Sequence, residues 1–233
     1  MIDFHTHILP GVDDGSKSVE ESLLMLHAMA DQGVKIAAAT PHFYANDESV
    51  ESFLMRRSAS YELLVKEAPA VPEIVLGAEV RYYDGISHLR ELNDLRIEGT
   101  RFLLLEMPFR RWTDYAIGEV IDMANRGKIT LVLAHIDRYL PFVKKETLVR
   151  LIRGGVLFQV NASFFQGVFT APKALKMLRE GMIHFIGTDC HNTQDRAPNM
   201  GKALDIIGKK MGSDTVSEFL SFGNELFLQN QFS

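Results

Sequence analysis

Residues 1–15 read Met1-Ile-Asp-Phe-His-Thr-His-Ile-Leu-Pro-Gly-Val-Asp-Asp-Gly15, and this stretch sets a pattern that the rest of the chain repeats. Its first residues can form a short buried strand, with His5 and His7 at the carboxyl end. Side chains two residues apart in an extended chain point to the same side, so both imidazoles can reach one metal ion. The proline and glycines that follow predict a loop that returns Asp13 and Asp14 towards them. Taken alone, this arrangement equally suits a polar strand end and a solvated acidic turn.

The composition is that of an ordinary globular domain. The 233 residues are 46% hydrophobic and 24% charged, a length and composition that suit one domain spanning 1–233. The net charge of -5 argues against a general nucleic-acid binder. No apolar run approaches the roughly 20 residues of a membrane span, so no membrane insertion is expected. The lone Cys190 and the lack of a secretory leader predict a cytoplasmic protein, and the oligomeric state is left open.

Seven apolar runs alternate with helical patterns along the chain. The strands are expected at 2–4, 34–40, 73–80, 101–106, 128–134, 156–160 and 182–188. The connecting helices are expected to begin near Ser18, Ser49, Asp84, Asp114, Lys145 and Pro172. Two further helices are expected at 199–211 and 213–220. This order predicts successive βα units and a mainly parallel sheet.

Polar side chains with metal-binding chemistry follow the carboxyl ends of at least six of these strands. They are five histidines and four carboxylates: His5, His7, Asp14, His42, Glu79, Glu106, His135, Asp189 and His191. In a βα barrel the loops at that end build the active site. An open doubly wound sheet instead gathers its ligands at one switch point. The spread over many strands therefore favours a closed barrel.

The charges of these side chains predict divalent cations. Four carboxylates that converge without a cation would repel one another, whereas three divalent ions would leave about +2 to attract an anionic substrate. Mixed imidazole and carboxylate ligands suit manganese, iron or zinc better than calcium or magnesium alone. Ions held in pairs can supply a nucleophilic hydroxide and bind both the attacking and the leaving oxygen.

An ordered set of motifs resembles the metal motifs of the PHP (polymerase and histidinol phosphatase) superfamily. They are His5-Thr-His7, Pro41-His42, Gly77-Ala-Glu79, Glu106, His135 and Asp189-Cys-His191. A closer resemblance, to the bacterial manganese-dependent protein-tyrosine phosphatases of capsule and exopolysaccharide operons, is carried by three further runs. These are Val12-Asp-Asp-Gly-Ser16, His135-Ile-Asp-Arg-Tyr139 and His191-Asn-x-x-x-Arg196. The resemblance covers nearly the whole chain and implies a distorted seven-stranded TIM-like barrel with three metal ions, Mn²⁺ foremost and Fe or Zn as alternatives.

The resemblance also implies how the ligands are shared. The first ion would take His5, His7, Glu79 and Asp189. The second would share Glu79 and add Glu106 and His135. The third would take Asp14, His42 and His191, with Asp14 favoured over Asp13 by the family pattern only. The phosphoryl group would be bound by the guanidinium groups of Arg138 and Arg196.

The implied activity is hydrolysis of phosphotyrosine by a metal-bound hydroxide. The implied substrate is the tail of a bacterial tyrosine autokinase that controls polysaccharide export. A histidinol-phosphatase-like activity on a small metabolite is the alternative, and a non-catalytic metal-binding domain is a third interpretation. Aromatic and basic residues on loops after three of the strands are candidates for selecting the substrate, and the aromatic ones are expected to lie partly in the core. They are Phe43, Tyr44, Phe109, Arg110, Arg111, Trp112, Phe164 and Phe165.

Other residues have weaker interpretations. The run from Cys190 to Arg196 has the C-x5-R spacing of cysteine-dependent phosphatases, but its loop lacks a glycine for a phosphate-cradling turn. Asp3 could orient a ligand imidazole. Asp137 is expected to be a solvated charge, and His184 to pack or to lie at the surface.

Overall fold

Strands and helices alternate along the described residues, 1–70 and 72–231, of the computed structural model. The strands there are β1 (Ile2–Thr6), β2 (Ile36–Ala39), β3 (His42–Phe43), β4 (Glu73–Leu76), β5 (Glu79–Arg81), β6 (Phe102–Glu106), β7 (Thr130–Leu133), β8 (Leu157–Asn161) and β9 (Phe185–Gly187). The α-helices are α1 (Val19–Asp31), α2 (Val50–Val65), α3 (Asp114–Asn125), α4 (Lys145–Arg153), α5 (Ala171–Arg179), α6 (Met200–Met211) and α7 (Ser213–Gln229).

The strands form a parallel ring. One sheet has the order β1-β2-β4, and the other has the order β3-β5-β6-β7-β8-β9. The ring closes where the first strand meets the last, because Asp189 N donates to His5 O at 2.8 Å and His7 N donates to Cys190 O at 3.0 Å. The predicted βα barrel is therefore confirmed. That residues 1–233 form one domain stays a prediction.

A short additional strand, β3, follows the second predicted strand, and the third predicted strand is interrupted; both breaks distort the ring. The chain leaves β2 at Ala39 and enters β3 at His42, and Pro41 between them has no N–H for a strand ladder. The interruption between β4 and β5 contains Gly77, where a Cβ would lie 3.0 Å from a side-chain atom of Ile97. The two interruptions are neighbours, and beyond them His42 pairs in register with Glu79. The distortion thus places two candidate ligands side by side.

Aromatic rings fill the inside of the barrel. The Phe4 ring stacks on Phe185 at 4.0 Å and meets Phe102 edge-on at 5.2 Å. Each fully buried ring stabilises the fold by about 1.5–3 kcal/mol. At the amino-terminal end of the strands, Phe227 stacks on Phe102, and Arg101 N donates to Asn230 O. Helix α7 therefore closes the end of the barrel that lies opposite the candidate site.

Two predicted helices differ from the structure. The helix expected at 84–93 is instead two 3-10 turns, Ile86–His88 and Arg90–Leu95, because Leu89 between them is extended. The last helix was expected to end at residue 220 but continues to Gln229, and its Phe227 ring stacks on Phe102 of β6. Within the described residues, no helix has the length and apolar character needed to cross a membrane.

Candidate metal centre

The strand ends bring all nine predicted ligands to one place. Seven of these side chains are buried: His5, His7, Glu79, Glu106, His135, Asp189 and His191. The other two lie at the mouth, where the side chain of His42 is 16% exposed and that of Asp14 is 66% exposed. Buried charges of this number need compensation by ions or by one another.

The first cluster joins the two ends of the ring. His5 and His7 stand at the end of β1, and their Nε2 atoms are 3.0 Å apart. Glu79 Oε2 lies 3.2 Å from His5 Nε2 and 3.4 Å from His7 Nε2. Asp189 Oδ1 lies 3.7 Å and 3.5 Å from the same two nitrogens. The four side chains expected to share the first ion therefore converge.

The second cluster surrounds the other oxygen of Glu79. His135 Nε2 lies 2.8 Å from Glu79 Oε1 and 3.8 Å from Glu106 Oε1. His42 also approaches, with its Nδ1 2.9 Å from Glu79 Oε2. His42, Glu79 and Glu106 can offer ligand atoms within 4.8 Å of one another. His42 is thus placed between the third cluster and the Glu79 carboxylate that the first two clusters share.

The third cluster is built around Asp14. Its Oδ1 lies 3.4 Å from His42 Nε2 and 3.4 Å from His191 Nε2. Asp13 has a different environment, because its carboxylate accepts hydrogen bonds from His7 Nδ1 at 2.6 Å and from His42 N at 2.9 Å. The geometry therefore favours Asp14 over Asp13 as the candidate ligand and places the Asp13 carboxylate where it can orient His7.

Three of the histidines make a hydrogen bond through Nδ1, which leaves Nε2 free to bind a metal ion. Besides the bond from His7 to Asp13, His5 Nδ1 lies 3.2 Å from Gln159 Oε1, and His191 Nδ1 lies 3.0 Å from the main-chain oxygen of Asp189. When Nδ1 donates, Nε2 keeps its lone pair for a cation, as in most metal-binding histidines. Sequence analysis missed Gln159, an amide inside an otherwise apolar strand with no spacing signal.

The polar atoms of the centre fit divalent ions. Bonds of about 2.1 Å to one ion place neighbouring ligand atoms about 3.0–3.4 Å apart, close to the separations in the first cluster. Among the described residues, the buried atoms Glu79 Oε2, His42 Nδ1 and His191 Nε2 have no hydrogen-bond partner. Shared coordination of a cation would supply the partner that each of these atoms lacks.

Two candidate ligands have a strained backbone. The φ angles of His135 and Asp189 are 31° and 52°, in the left-handed region that residues other than glycine seldom adopt. Such a conformation costs about 1–3 kcal/mol and concentrates at functional sites. His135 N is held by a hydrogen bond to Gln159 Oε1 at 2.6 Å. Both strained residues lie where the chain turns after the end of a strand, and this turn directs each side chain into the centre.

The carboxylates differ in how well their charge is compensated. Burial raises the pKa of Glu79, but His5 and His135 outweigh it and hold the pKa well below its ordinary value. Burial likewise opposes the effect of His5 and His7, which hold the pKa of Asp189 below its ordinary value. In contrast, burial and the neighbouring Glu79 raise the pKa of Glu106. Of these three carboxylates, Glu106 in the second cluster is thus the one whose charge its neighbours compensate least.

Three arginines border the centre. Arg196 Nη2 lies 2.7 Å from Asp189 Oδ1, and Arg138 Nη1 lies 3.5 Å from Asp189 Oδ2. On the other side, Arg81 Nη1 lies 3.4 Å from Glu106 Oε2. All three side chains are partly exposed, so their guanidinium groups can meet an incoming anion. Arg81 was not predicted, although it follows Glu79 by two residues on the same strand face.

Only part of the predicted aromatic rim reaches the surface. Four of the candidates are buried, in keeping with the expectation that the aromatic set is partly core: Phe43, Trp112, Phe164 and Phe165. Arg110 and Arg111 are exposed. Half-buried Tyr44 stacks on His42 at 5.4 Å, and Phe109, 41% exposed, stacks on His135 at 5.8 Å. These two rings flank the opening of the centre.

Several other expectations can be compared with the structure. The Asp3 carboxylate accepts from Thr188 N at 2.9 Å and from Thr188 Oγ1 at 2.6 Å, and within residues 1–70 and 72–231 it makes no hydrogen bond to an imidazole ring. Asp137 is not simply solvated, since it is half-buried and accepts from Asn161 N at 2.9 Å. Burial and the nearby Asp3 raise the pKa of Cys190 to about 12. A buried, protonated thiol does not support a cysteine nucleophile.

Fold and side chains together define a PHP-type βα barrel with a candidate metal centre at the carboxyl ends of its strands. The sequence model of a family described as capsular polysaccharide synthesis, CpsB/CapC, matches residues 1–229. The chain belongs to the CpsB/CapC family.

Relatives of this chain carry the name tyrosine-protein phosphatase. YwqE of Bacillus subtilis (strain 168) is 31% identical over 239 residues, which cover 99% of this chain and 92% of the relative. CpsB of Streptococcus pneumoniae is 34% identical over 235 residues, which cover 94% of each chain. A crystal structure from a study of YwqE and CpsB aligns with this chain with a TM-score of 0.83 at 27% sequence identity. That study describes the two proteins as unique metal-dependent tyrosine phosphatases. That alignment covers 100% of this chain and 96% of the other.

Proposed function

We propose that this protein is a metal-dependent protein-tyrosine phosphatase. The observation that carries the proposal is the convergence of nine histidine and carboxylate side chains beside two arginines, at the end of the barrel where active sites form. The metal-dependent tyrosine phosphatases that align with the whole chain support the same reaction.

Three divalent ions would be held by the three clusters, with Mn²⁺ as the first candidate and Fe or Zn as alternatives. The first cluster is His5, His7, Glu79 and Asp189. The second is Glu79, Glu106 and His135, and the third is Asp14, His42 and His191. Bound ions supply positive charge for the phosphate oxygens and lower the pKa of water so that it can attack phosphorus.

The chain's own side chains bind and orient the substrate. Arg138 and Arg196 reach phosphoryl oxygens with guanidinium forks, and their contacts with Asp189 fix them at the edge of the first cluster. Asp13 and Gln159 keep His7 and His5 in a single orientation. This arrangement binds phosphate whichever alcohol carries it, so the choice of substrate depends on the rim.

The rim favours an aryl phosphate. Tyr44 and Phe109 present ring faces beside the centre, where a phenyl ring can pack. Phenolate is also a better leaving group than alkoxide, which suits a site without a strong general acid. We propose the phosphotyrosine tail of a bacterial tyrosine kinase in capsule or exopolysaccharide synthesis as the physiological substrate. The family's description and the single buried free thiol support this role and a cytoplasmic location.

Chelation followed by metal replacement tests the proposal. Protein stripped with a chelator is supplied with Mn²⁺, Fe²⁺ or Zn²⁺ in turn, and kcat/KM is measured for a phosphotyrosine peptide, a phosphoserine peptide and histidinol phosphate. We expect no turnover without metal, the best recovery with Mn²⁺ and a preference for the phosphotyrosine peptide. Full activity in stripped protein would refute the metal requirement. Faster turnover of histidinol phosphate would make the enzyme a metabolite phosphatase.

A further inference from the structure

A turn at residues 167–170 carries the two most exposed large apolar side chains of the described chain. Val168 is 85% exposed and Phe169 is 95% exposed, whereas the next, Met55, reaches 63%. They are the central residues of the turn, which is closed by a hydrogen bond from Thr170 N to Gly167 O at 3.2 Å. Central turn positions usually carry Gly, Pro, Asn, Asp or Ser. This turn therefore holds apolar surface out in the solvent.

The helix after the turn lines a basic groove with an apolar floor. Helix α5 lies across a cavity of about 270 Å³ from α4. The buried floor is formed by Leu148, Met177 and Met182. The exposed rim carries Lys145, Lys173 and Lys176. Lys145 pairs with Glu180 at 2.8 Å, but Lys173 and Lys176 form no ion pair with any described residue.

Positive charge is concentrated in this part of an acidic chain. Seven Lys or Arg residues and two Glu residues lie between Lys144 and Glu180, a formal charge of +5 in a chain whose net charge is -5. Apolar side chains that enter the headgroup region, with lysines around them, are how peripheral proteins bind anionic lipid. We propose that the turn at 167–170 and the rim of the α4–α5 groove form a docking surface for an anionic phospholipid membrane.

The shape of this surface favours lipid over an acidic peptide. Sites for peptides and small ligands are concave and bury their anchor side chains, whereas Val168 and Phe169 project. The turn follows β8, so it lies at the same end of the barrel as the candidate metal centre. Docking would hold the mouth of that centre close to the membrane surface. The inference does not depend on the proposed function, because it uses none of the candidate ligands.

Co-sedimentation with vesicles tests this surface in the full-length protein. Vesicles containing equal parts of phosphatidylglycerol and phosphatidylcholine are compared with vesicles of phosphatidylcholine alone. We expect binding to the anionic vesicles only, and weaker binding as added salt screens the charges. The Val168→Ser/Phe169→Ser and Lys173→Glu/Lys176→Glu double variants should each bind about tenfold more weakly.

Matched variants control for general changes in apolarity and charge. Met55→Ser removes an exposed apolar side chain from α2, and Lys209→Glu/Lys210→Glu makes the same charge change on α6. Both should bind like the wild type, and all the variants should hydrolyse a small soluble aryl phosphate normally. The proposal is overturned if anionic vesicles are not bound, or if the turn and groove variants bind them as well as the wild type. A raised KM for an acidic phosphopeptide without a change in vesicle binding would make the surface a peptide site and would also overturn it.

Discussion

The Asp13 carboxylate lies 2.6 Å from His7 Nδ1, so that His7 presents its other ring nitrogen to the first ligand cluster. Burial opposes this carboxylate's charge, but the hydrogen bond with His7 outweighs it and holds the pKa of Asp13 below its ordinary value. Its neighbour Asp14 faces the third cluster instead. Two adjacent aspartates thus serve two different clusters.

Replacing Asp13 should weaken metal binding without removing a ligand. Asp13→Asn keeps the size of the side chain but loses the charge that orients and polarises His7, and loss of such a partner typically costs 10–100-fold in metal affinity, so we expect about that effect. Calorimetric titration of stripped protein with Mn²⁺ measures it. Asp31→Asn, at the exposed end of α1, is the control. Unchanged affinity in Asp13→Asn would show that Asp13 has no positioning role.

Loss of Glu79 should be more damaging than loss of His42. Both oxygens of Glu79 are engaged, one with the first cluster and one with His135, whereas His42 lies at the partly exposed mouth. We expect Glu79→Gln to lose bound metal and nearly all turnover, and His42→Asn to keep a measurable fraction of both. Metal analysis by mass spectrometry beside kcat/KM would decide, and the reverse ranking would contradict a bridging Glu79.

Removing either guanidinium at Asp189 should slow turnover and leave the metals in place. Arg138→Ala and Arg196→Ala are each expected to reduce kcat about 10²–10³-fold, the order seen when one donor to a developing charge is lost. The exposed Arg90, in the second 3-10 turn, supplies the control Arg90→Ala. If either variant lost its metals, that arginine would be structural.

Cys190→Ser should keep most of the phosphatase activity. The thiol is fully buried, and burial together with Asp3 raises its pKa to about 12, so almost no thiolate is present at neutral pH. Steady-state kinetics on a phosphotyrosine peptide checks this, with a thermal melt to monitor folding. A loss of about a thousandfold or more in a folded, metal-loaded variant would indicate a covalent cysteine mechanism instead.

His184 should make the fold sensitive to mild acid. Its ring accepts a hydrogen bond from Phe158 N at 3.1 Å, and burial lowers its pKa from 6.5 to about 4. Between those values the unfolded chain binds more protons than the native one, so stability is complete above pH 6.5 and is lost as the pH falls towards 4. The full effect is roughly 3 kcal/mol.

Urea unfolding of metal-free protein at several pH values measures this dependence. His184→Gln keeps an acceptor for Phe158 N but cannot be protonated, so its free energy of unfolding should fall less steeply than that of the wild type below pH 6.5. Parallel curves for the two proteins would show that His184 does not contribute to the acid sensitivity.

The sequence predicts the strands well because a strand buried on both faces is a continuous apolar run. The residue that follows such a run lies at the barrel's active end, which is why spacing alone could select His135 and Asp189. The short strand β3 after Pro41 and the interruption before Glu79 were not predicted, since they depend on the pairing of His42 with Glu79 and on the close packing of Gly77 in the folded barrel.

Side-chain direction beyond the strand ends was the weakest part of the prediction. Phe164 and Phe165 do follow a strand, but a 3-10 turn directs their rings into the core. Gln159 escaped notice because its partners, His5 and His135, are distant in sequence and meet only in the folded barrel. Arg81 could have been predicted, because it follows Glu79 at the same i, i+2 spacing that relates His5 to His7, and its guanidinium reaches Glu106.

Closure of the ring between β1 and β9 has a consequence for the order of events during synthesis. The ribosome adds Asp189 and His191 more than 180 residues after His5 and His7. A growing chain therefore cannot assemble the first or the third cluster, and pairings this distant in sequence form slowly. Metal occupancy of those clusters would therefore distinguish complete barrels from truncated chains, because a chain released before Asp189 lacks a candidate ligand of each cluster.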